Sequence, residues 1–164
     1  MKKVLLVATA ALLLVGCSSP FPGTTGADPS GSSRSDSAAP VAAVLLGETL
    51  KDAIPTITSV TQITEDNDPD DLIGRPAGYI DGALIVDTRA TKCVEPGVAC
   101  GATIEVWGDK QKASDRSINL ITLMVEDPTL DEHHYILDGL LLRVSGELSP
   151  SAAAEYESIM VQER

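Results

Sequence analysis

Apolar residues dominate the start of the chain. Lys2 and Lys3 are followed by an apolar run from Val4 to Val15, and then by the small residues Gly16 and Cys17. Two lysines before an apolar stretch that is short for a bilayer span are typical of an export signal. Residues 1–16 are therefore predicted to be a signal peptide and not a helix of the folded core.

From residue 41 onward, apolar positions switch between helical and strand spacing. Steps of three and four residues, together with Pro and Ser at helix starts, predict three helices, at residues 41–54, 110–125 and from 150 onward. Period-two alternation and short apolar runs predict strands at residues 56–64, 79–87, 103–107 and 135–145. The order α-β-β-β-α-β-α predicts an α+β fold, an antiparallel sheet of about four strands with helices packed on one face.

The same spacing marks the core faces of two helices. In the second helix, the predicted inward stripe is Ala113, Ser117, Leu120, Ile121 and Met124. In the last helix, it is Ala153, Tyr156, Ile159 and Met160. The strand at 79–87 is apolar on both faces, which predicts a central place in the sheet.

Between the signal and the first helix, the composition changes. Residues 18–40 are mostly Ser, Gly, Pro and Ala and contain almost no core-forming side chains. Such a segment buries too little apolar area to offset its ordering entropy. The chain is therefore predicted to divide into a signal peptide (1–16), a tether that begins at Cys17 (17–40) and one acidic domain (41–164).

Charge and aromatic content exclude some classes of partner. The chain has 12 Lys and Arg against 24 Asp and Glu, a formal charge of −12, and only 3% aromatic residues. An acidic chain without a basic patch repels phosphate backbones, and few rings are available to stack on bases. We expect no nucleic acid as a partner.

Leu14, Val15, Gly16 and Cys17 resemble the lipobox of bacterial lipoproteins. In those proteins, the signal is cut before the Cys, whose sulfur carries a diacylglycerol. The resemblance implies an acylated N-terminus at Cys17 that holds the protein on the extracytoplasmic face of the cell membrane. The alternatives are a non-lipidated secretory signal and a true membrane helix.

Two further cysteines, Cys93 and Cys100, stand in the segment CVEPGVAC. Pro96 and Gly97 favour a turn between them, and an exported protein meets an oxidising compartment, so a disulfide is predicted. Metal ligation and redox catalysis are the alternatives, although the chain has no second pair and no C-x-x-C motif.

Candidate catalytic and metal-binding patterns are weak. The acidic run at residues 66–71 places oxygen ligands at alternate positions, as calcium loops do, but Asp71 stands where the turn needs Gly and Ala77 where a bidentate Glu belongs. The adjacent His133 and His134 would point to opposite sides of a strand. No G-x-S-x-G motif is present. We therefore expect no enzyme activity, no cofactor and no metal, with a solvated acidic turn and a calcium site both open at 66–71.

The most distinctive segment is DPDDLIGRPAGYIDGA, residues 68–83. Its Pro and Gly residues predict a rigid irregular turn. Because Arg and Tyr favour interface cores, Asp68, Arg75 and Tyr79 are a candidate interaction loop. The alternative is that these three residues serve only the architecture of the turn.

This segment, with IEVW (104–107), LLLRVSG (140–146) and LSPSAAAEYE (148–157), resembles a family of small actinobacterial lipoproteins of unknown function. The family pattern has a second Leu where Ile73 stands here. The resemblance covers roughly the whole folded part and implies the same location. It supplies no reaction and no catalytic residues.

The sequence predicts a membrane-anchored cell-surface lipoprotein that acts as a binding or interaction module of the cell envelope. Its expected partners are membrane lipid, through acylated Cys17, and an envelope protein. Three alternatives remain open: an inhibitor or exclusion factor that blocks an envelope enzyme or a phage receptor, a carrier of a small ligand or of calcium, and a hydrolase.

Overall fold

A computed structural model describes residues 43–163. The predicted signal peptide, the lipidation site Cys17 and the tether lie outside these residues. The elements, in chain order, are α1 (Ala43–Ala53), β1 (Ile57–Gln62), β2 (Asp81–Asp87), a short 3-10 helix (Val98–Cys100), β3 (Gly101–Val106), α2 (Lys110–Glu126), β4 (Glu132–Leu137), β5 (Leu140–Ser145) and α3 (Pro150–Gln162).

The five strands form one antiparallel sheet in the order β1-β2-β3-β5-β4. Every residue of the central strand β3 is buried. The α+β class and the antiparallel sheet are confirmed. The fifth strand arises because the predicted strand at 135–145 is a hairpin, β4 and β5, which turns at Asp138 and Gly139 with Asp138 at a positive φ of 53°.

The helices lie on both faces of the sheet, which corrects the expectation of one helical face. α1 and α3 pack on one face over Ile85, Ile104 and Leu142. α2 packs on the other face, where Leu120 joins Leu84 and Leu141 in a second cluster. Successive side chains of a strand point to opposite faces, so strands that are apolar on both faces need cover on both.

The face under α1 and α3 is an apolar core. Gly47 brings α1 close to β1, because a Cβ at this position would lie 2.6 Å from Val60 Cγ1. α3 begins as predicted, with the Ser149 hydroxyl accepting a hydrogen bond from the Ala152 N–H. Tyr156 and Ala153 of α3 are fully buried against this core.

The face under α2 is smaller and mixed in character. Its apolar part contains Leu84, Leu141 and Leu120, and Trp107 and Tyr79 extend it toward the segment between β1 and β2. Asp109 caps α2 by accepting a hydrogen bond from the Lys112 N–H at 2.9 Å. Between the apolar patches lie charged side chains, which form the site described next.

Candidate functional site

A cluster of charged side chains is buried between α2 and the sheet, centred on Arg143 of β5. The Arg143 guanidinium donates from Nη1 to Glu105 Oε1 at 2.8 Å, and from Nε and Nη2 to the two oxygens of Glu132, each at 2.8 Å. Glu105 is completely buried and Arg143 is 5% exposed. The two strands that flank β5 therefore each contribute one carboxylate to a single cation.

The cluster also ties the segment between β1 and β2 to α2. Asp70 accepts from Arg143 Nη1 at 2.6 Å and pairs with Arg116 Nη2 at 2.8 Å. Trp107 Nε1 donates to Glu105 Oε2 at 3.0 Å, so this carboxylate has a partner on each oxygen. Opposite charges and hydrogen bonds to most of these groups make their burial tolerable, although Arg116 Nε is buried without a hydrogen-bond partner.

The electrostatics of the cluster keep the Glu132 carboxylate ionised. Burial raises the pKa of Glu132, but the hydrogen bonds from Arg143 and His134 outweigh it and lower the pKa to about 2. Burial lowers the pKa of Arg143, yet the hydrogen bond and charge of Glu132 raise it overall. Glu132 and Arg143 are therefore both charged at neutral pH.

One hydrogen-bonded chain in this cluster has the connectivity of a nucleophile, a base and an acid. Ser117 Oγ lies 3.0 Å from His134 Nδ1, and His134 Nε2 lies 3.0 Å from Glu132 Oε2. Ser117, however, is 5% exposed and sits on the sheet-facing side of α2. As the fold stands, the three side chains join α2 to β4 and the hydroxyl faces no open surface.

The candidate interaction loop is largely internal. Asp68 Oδ2 accepts from the Leu72 and Ile73 N–H groups at 2.6 and 2.7 Å, and Asp68 Oδ1 accepts from the Tyr79 hydroxyl. Burial raises the pKa of Asp68, but these hydrogen bonds lower it overall. Asp68 therefore serves the architecture of the turn.

Tyr79 is a core residue, which corrects its assignment to a contact surface. It is 1% exposed and its ring meets Trp107 edge to face, with centroids 5.8 Å apart. Arg75 alone of the three candidates is open to solvent, and it pairs with Asp71. A partner at this loop would meet Arg75 but not Tyr79.

The acidic turn at 66–71 uses its carboxylates internally. Asp68 bonds backbone N–H groups, Asp70 bonds Arg143 and Arg116, and Asp71 bonds Arg75. Within residues 43–163, no three or more His, Cys, Asp or Glu side chains are grouped so that they could hold a metal ion.

A second charged cluster lies on the opposite face of the sheet, at the end of β2. Arg89 Nη2 pairs with Asp87 Oδ2 at 2.7 Å and Nη1 with Glu155 at 2.8 Å, while the Tyr156 hydroxyl donates to Asp87 Oδ2 at 2.7 Å. Burial raises the pKa of Asp87, but the hydrogen bonds from Arg89 and Tyr156 lower it overall. Arg89 and Glu155 also line an open groove of about 550 Å³ between the end of α1 and α3.

Cys93 and Cys100 form a disulfide, as predicted. Cys100 is buried where the short 3-10 helix enters β3, whereas Cys93 lies in the exposed part of the loop. The Glu147 carboxylate holds the start of this loop by accepting from the Thr91 and Lys92 N–H groups at 2.6 and 2.8 Å. The bridge therefore fastens an exposed loop to the central strand.

One side of the second half of α2 exposes apolar residues. Ile118 is 59% exposed, Ile121 47%, and Val125 78%. Their spacing of three and four residues places them on one side of the helix. Among residues 43–163, no helix has the length and apolar character to cross a membrane.

No protein-family model, no curated protein and no solved structure matches the chain. Its function is therefore inferred from the sequence and from the contacts described above.

Sequence reasoning missed the two charged clusters. A signal was present for the first cluster: Glu105 and Arg143 each interrupt an apolar run in a predicted strand. Charges of opposite sign in two such strands indicate a buried pair, because a lone buried charge is too costly. Their pairing with Asp70 and Arg116 had no comparable signal.

Proposed function

We propose that this chain is a membrane-anchored lipoprotein of the cell surface whose α+β domain acts as an interaction module of the cell envelope. The lipobox at residues 14–17 supports the anchoring, and the Ser, Gly and Pro composition of residues 18–40 supports a tether that gives the domain reach. Membrane attachment raises the effective concentration of the domain at its neighbours, so that a weak contact suffices.

The observation that carries the interaction role is the distribution of exposed apolar side chains. In residues 43–163, large apolar residues with at least 47% exposure are concentrated in the outer part of α2 and the turn after it: Ile118, Ile121, Leu123, Val125 and Leu130. The charged side chains of the Arg143 and Arg89 clusters, in contrast, are paired inside the domain. Three of the apolar residues, Ile118, Ile121 and Val125, lie on one side of α2, and contiguous exposed apolar surface is typical of protein contact sites.

The proposal is tested by crosslinking in intact cells that produce the full-length protein. We expect the protein in the membrane fraction and one envelope protein recovered with it in stoichiometric amount. The Cys17→Ser variant, which cannot be acylated, should leave the membrane fraction and lose most of the partner. A native protein that stays in the soluble fraction, or the lack of any stoichiometric partner, would contradict the proposal.

The same experiment separates the candidate surfaces. Arg75→Ala removes the one exposed candidate of the 68–79 loop without disturbing the core, since Arg75 pairs only with the exposed Asp71. Loss of the partner in Arg75→Ala would place the contact at this loop. Retention there, with loss in Ile121→Lys, would place it at α2.

A second candidate function is the carriage of a small ligand, which the groove of about 550 Å³ supports. Its wall combines apolar Ile54 and Ile159 with the charged Arg89 and Glu155. Such a lining suits a small amphiphilic molecule. A panel of such compounds should then raise the melting temperature of the native protein but not of Ile159→Lys, and the lack of any shift excludes this function.

A further inference from the structure

β4 is an edge strand whose outer side is unpaired among residues 43–163. The other edge, β1, carries a register irregularity between Ile57 and Ser59, a device that discourages further pairing. β4 pairs with β5 in continuous register and contains no Pro or Lys. All six of its residues are half-buried, and its one acidic side chain, Glu132, is turned inward to Arg143, so this edge carries no bulge, no Pro and no outward charge.

The direction of the free backbone groups follows from the ladder. The Gly146 N–H donates to the Asp131 carbonyl at 2.9 Å. In an antiparallel pair, alternate residues direct both backbone groups to the same neighbour, so odd-numbered residues of β4 face β5. The N–H and C=O groups of Glu132, His134 and Ile136 therefore point away from the sheet.

The apolar side of α2 lies beside this edge. Arg116 reaches Glu105 on β3, and Ser117, one residue later, reaches His134 on β4. Successive residues of a helix are rotated by about 100°. Going round α2 from Arg116 to Ser117 and beyond, one next meets Ile121, Val125 and Ile118. Leu123 lies in the direction of Arg116, on the opposite side. The free edge is thus flanked by the apolar stripe Ile118, Ile121 and Val125.

Charge selects the occupant of this edge. Asp131, immediately before β4, is exposed, and each copy of the chain carries a formal charge of −12. Repulsion between two acidic chains disfavours a second copy as the occupant. Asp131 favours an extended segment that places a basic residue beside it.

We infer that the free edge of β4, with the apolar stripe of α2, binds an extended peptide segment of another protein, apolar in its middle and basic at the end that meets Asp131. The segment would add a sixth strand to the sheet, with backbone hydrogen bonds to Glu132, His134 and Ile136. An apolar side chain of the segment would cover Ile121. This inference rests on the proposed function and names the surface and the partner's chemistry.

The test uses the full-length protein and the peptide Lys-Thr-Val-Thr-Val-Thr-Val-Lys, with amide exchange followed residue by residue in NMR spectra. At peptide concentrations about ten times Kd, exchange at Glu132, His134 and Ile136 should slow about tenfold. Exchange at His133 and Tyr135 should not change, because their N–H groups already bond β5. A peptide with Glu at both ends should bind at least about tenfold more weakly.

Two variants supply a matched pair. Ile121 and Leu123 are 47% and 48% exposed on opposite sides of α2, so a Lys at either position should leave the fold intact. Ile121→Lys should raise the Kd for the peptide about tenfold, whereas Leu123→Lys should change it less than about twofold.

Several outcomes would overturn the inference. Protection confined to β1, no protection at the three amides with the basic-ended peptide, or equal effects of the two Lys variants would each do so. Protection that rises with protein concentration without peptide would identify a second copy as the occupant. In cells, a partner captured equally by the native protein and by Ile121→Lys would overturn the inference about the β4 edge but leave the proposed function standing. The lack of any partner would overturn the proposed function.

Discussion

At the scale of residues, Arg143 shows how one cation organises three carboxylates from different parts of the chain. Glu105, Glu132 and Asp70 each accept a hydrogen bond from it. A buried ion pair adds little net stability, but the loss of one partner leaves the others uncompensated. The stability of this face therefore depends on the whole group.

Replacement of Arg143 tests this dependence. Arg143→Met should lower the free energy of unfolding by about 3–5 kcal/mol, because Glu105 and Glu132 would remain buried without their cation. Urea denaturation of the full-length protein measures the change. Arg75→Ala, which removes an exposed pair, is the control and should leave the free energy of unfolding nearly unchanged. Equal losses in the two variants would contradict this role.

The low pKa of Glu132 predicts a pH dependence of stability. Its pKa is about 2 in the folded state against 4.5 for a free carboxyl, so the folded state binds the proton more weakly. The stabilisation is therefore present above pH 4.5 and is lost as the pH falls toward 2. Denaturation midpoints should decrease over this range, and less so in Glu132→Gln. Parallel pH profiles for the two proteins would exclude Glu132 as a main contributor.

At the scale of elements, the sequence predicts most helices and strands to within a few residues but divides the C-terminal half wrongly. Residues 135–145 read as one apolar strand, although Asp138-Gly139 is a strong signal for a two-residue hairpin turn. α2 runs where it was expected, yet Ile121 is 47% exposed. The small Ala113 and Ser117 make the buried stripe narrow, and a single-helix pattern does not show how far the sheet extends beneath it.

The hairpin turn depends on Gly139. A Cβ at this position would lie 2.6 Å from the Trp107 carbonyl oxygen, so Gly139→Ala forces the backbone apart. We expect a loss of about 1–3 kcal/mol in the free energy of unfolding and faster amide exchange in β4. Gly108→Ala is the matched control, because the nearest atom to its Cβ is the flexible Lys112 Nζ at 3.7 Å. A loss in Gly108→Ala as large as in Gly139→Ala would refute the steric explanation.

The disulfide between Cys93 and Cys100 fastens one loop to β3. Cys93→Ser replaces the exposed partner and leaves the buried Cys100 thiol in place. The free energy of unfolding of the variant should be about 2 kcal/mol lower than that of the native protein, which is the amount expected for a short closed loop. Thermal or urea unfolding measures the difference, and reduction of the native protein should reproduce it. A stable variant would mean that Glu147 alone holds the loop.

At the scale of the whole molecule, the two faces of the sheet differ in chemistry. The face under α1 and α3 is mainly apolar, and the face under α2 combines apolar clusters with the Arg143 group. Period-two patterns of apolar residues in the strands predict that both faces of the sheet are covered. The class of fold follows from these patterns. They do not predict which polar residues meet, because the partners Asp70 and Arg143 are 73 residues apart.

Carboxylates of the acidic turn at residues 66–71 are already bonded within the fold, and this predicts how the protein responds to calcium. Since the Asp68 and Asp70 carboxylates already accept hydrogen bonds from backbone N–H and guanidinium groups, we expect millimolar calcium and a chelator to give the same melting temperature. A calcium-dependent rise that Asp66→Asn abolishes would show that the turn opens to bind the ion, and would favour the carrier function.

The Arg143 group also bears on how this chain can change over generations. A substitution at Glu105, Glu132 or Arg143 alone leaves unpaired charges in the interior. Joint replacement by apolar residues of similar volume removes the cost of burying those charges. The path between two such sequences passes through less stable intermediates. These positions should therefore evolve together as one strongly epistatic unit, while the apolar face under α1 and α3 drifts by small, independent steps.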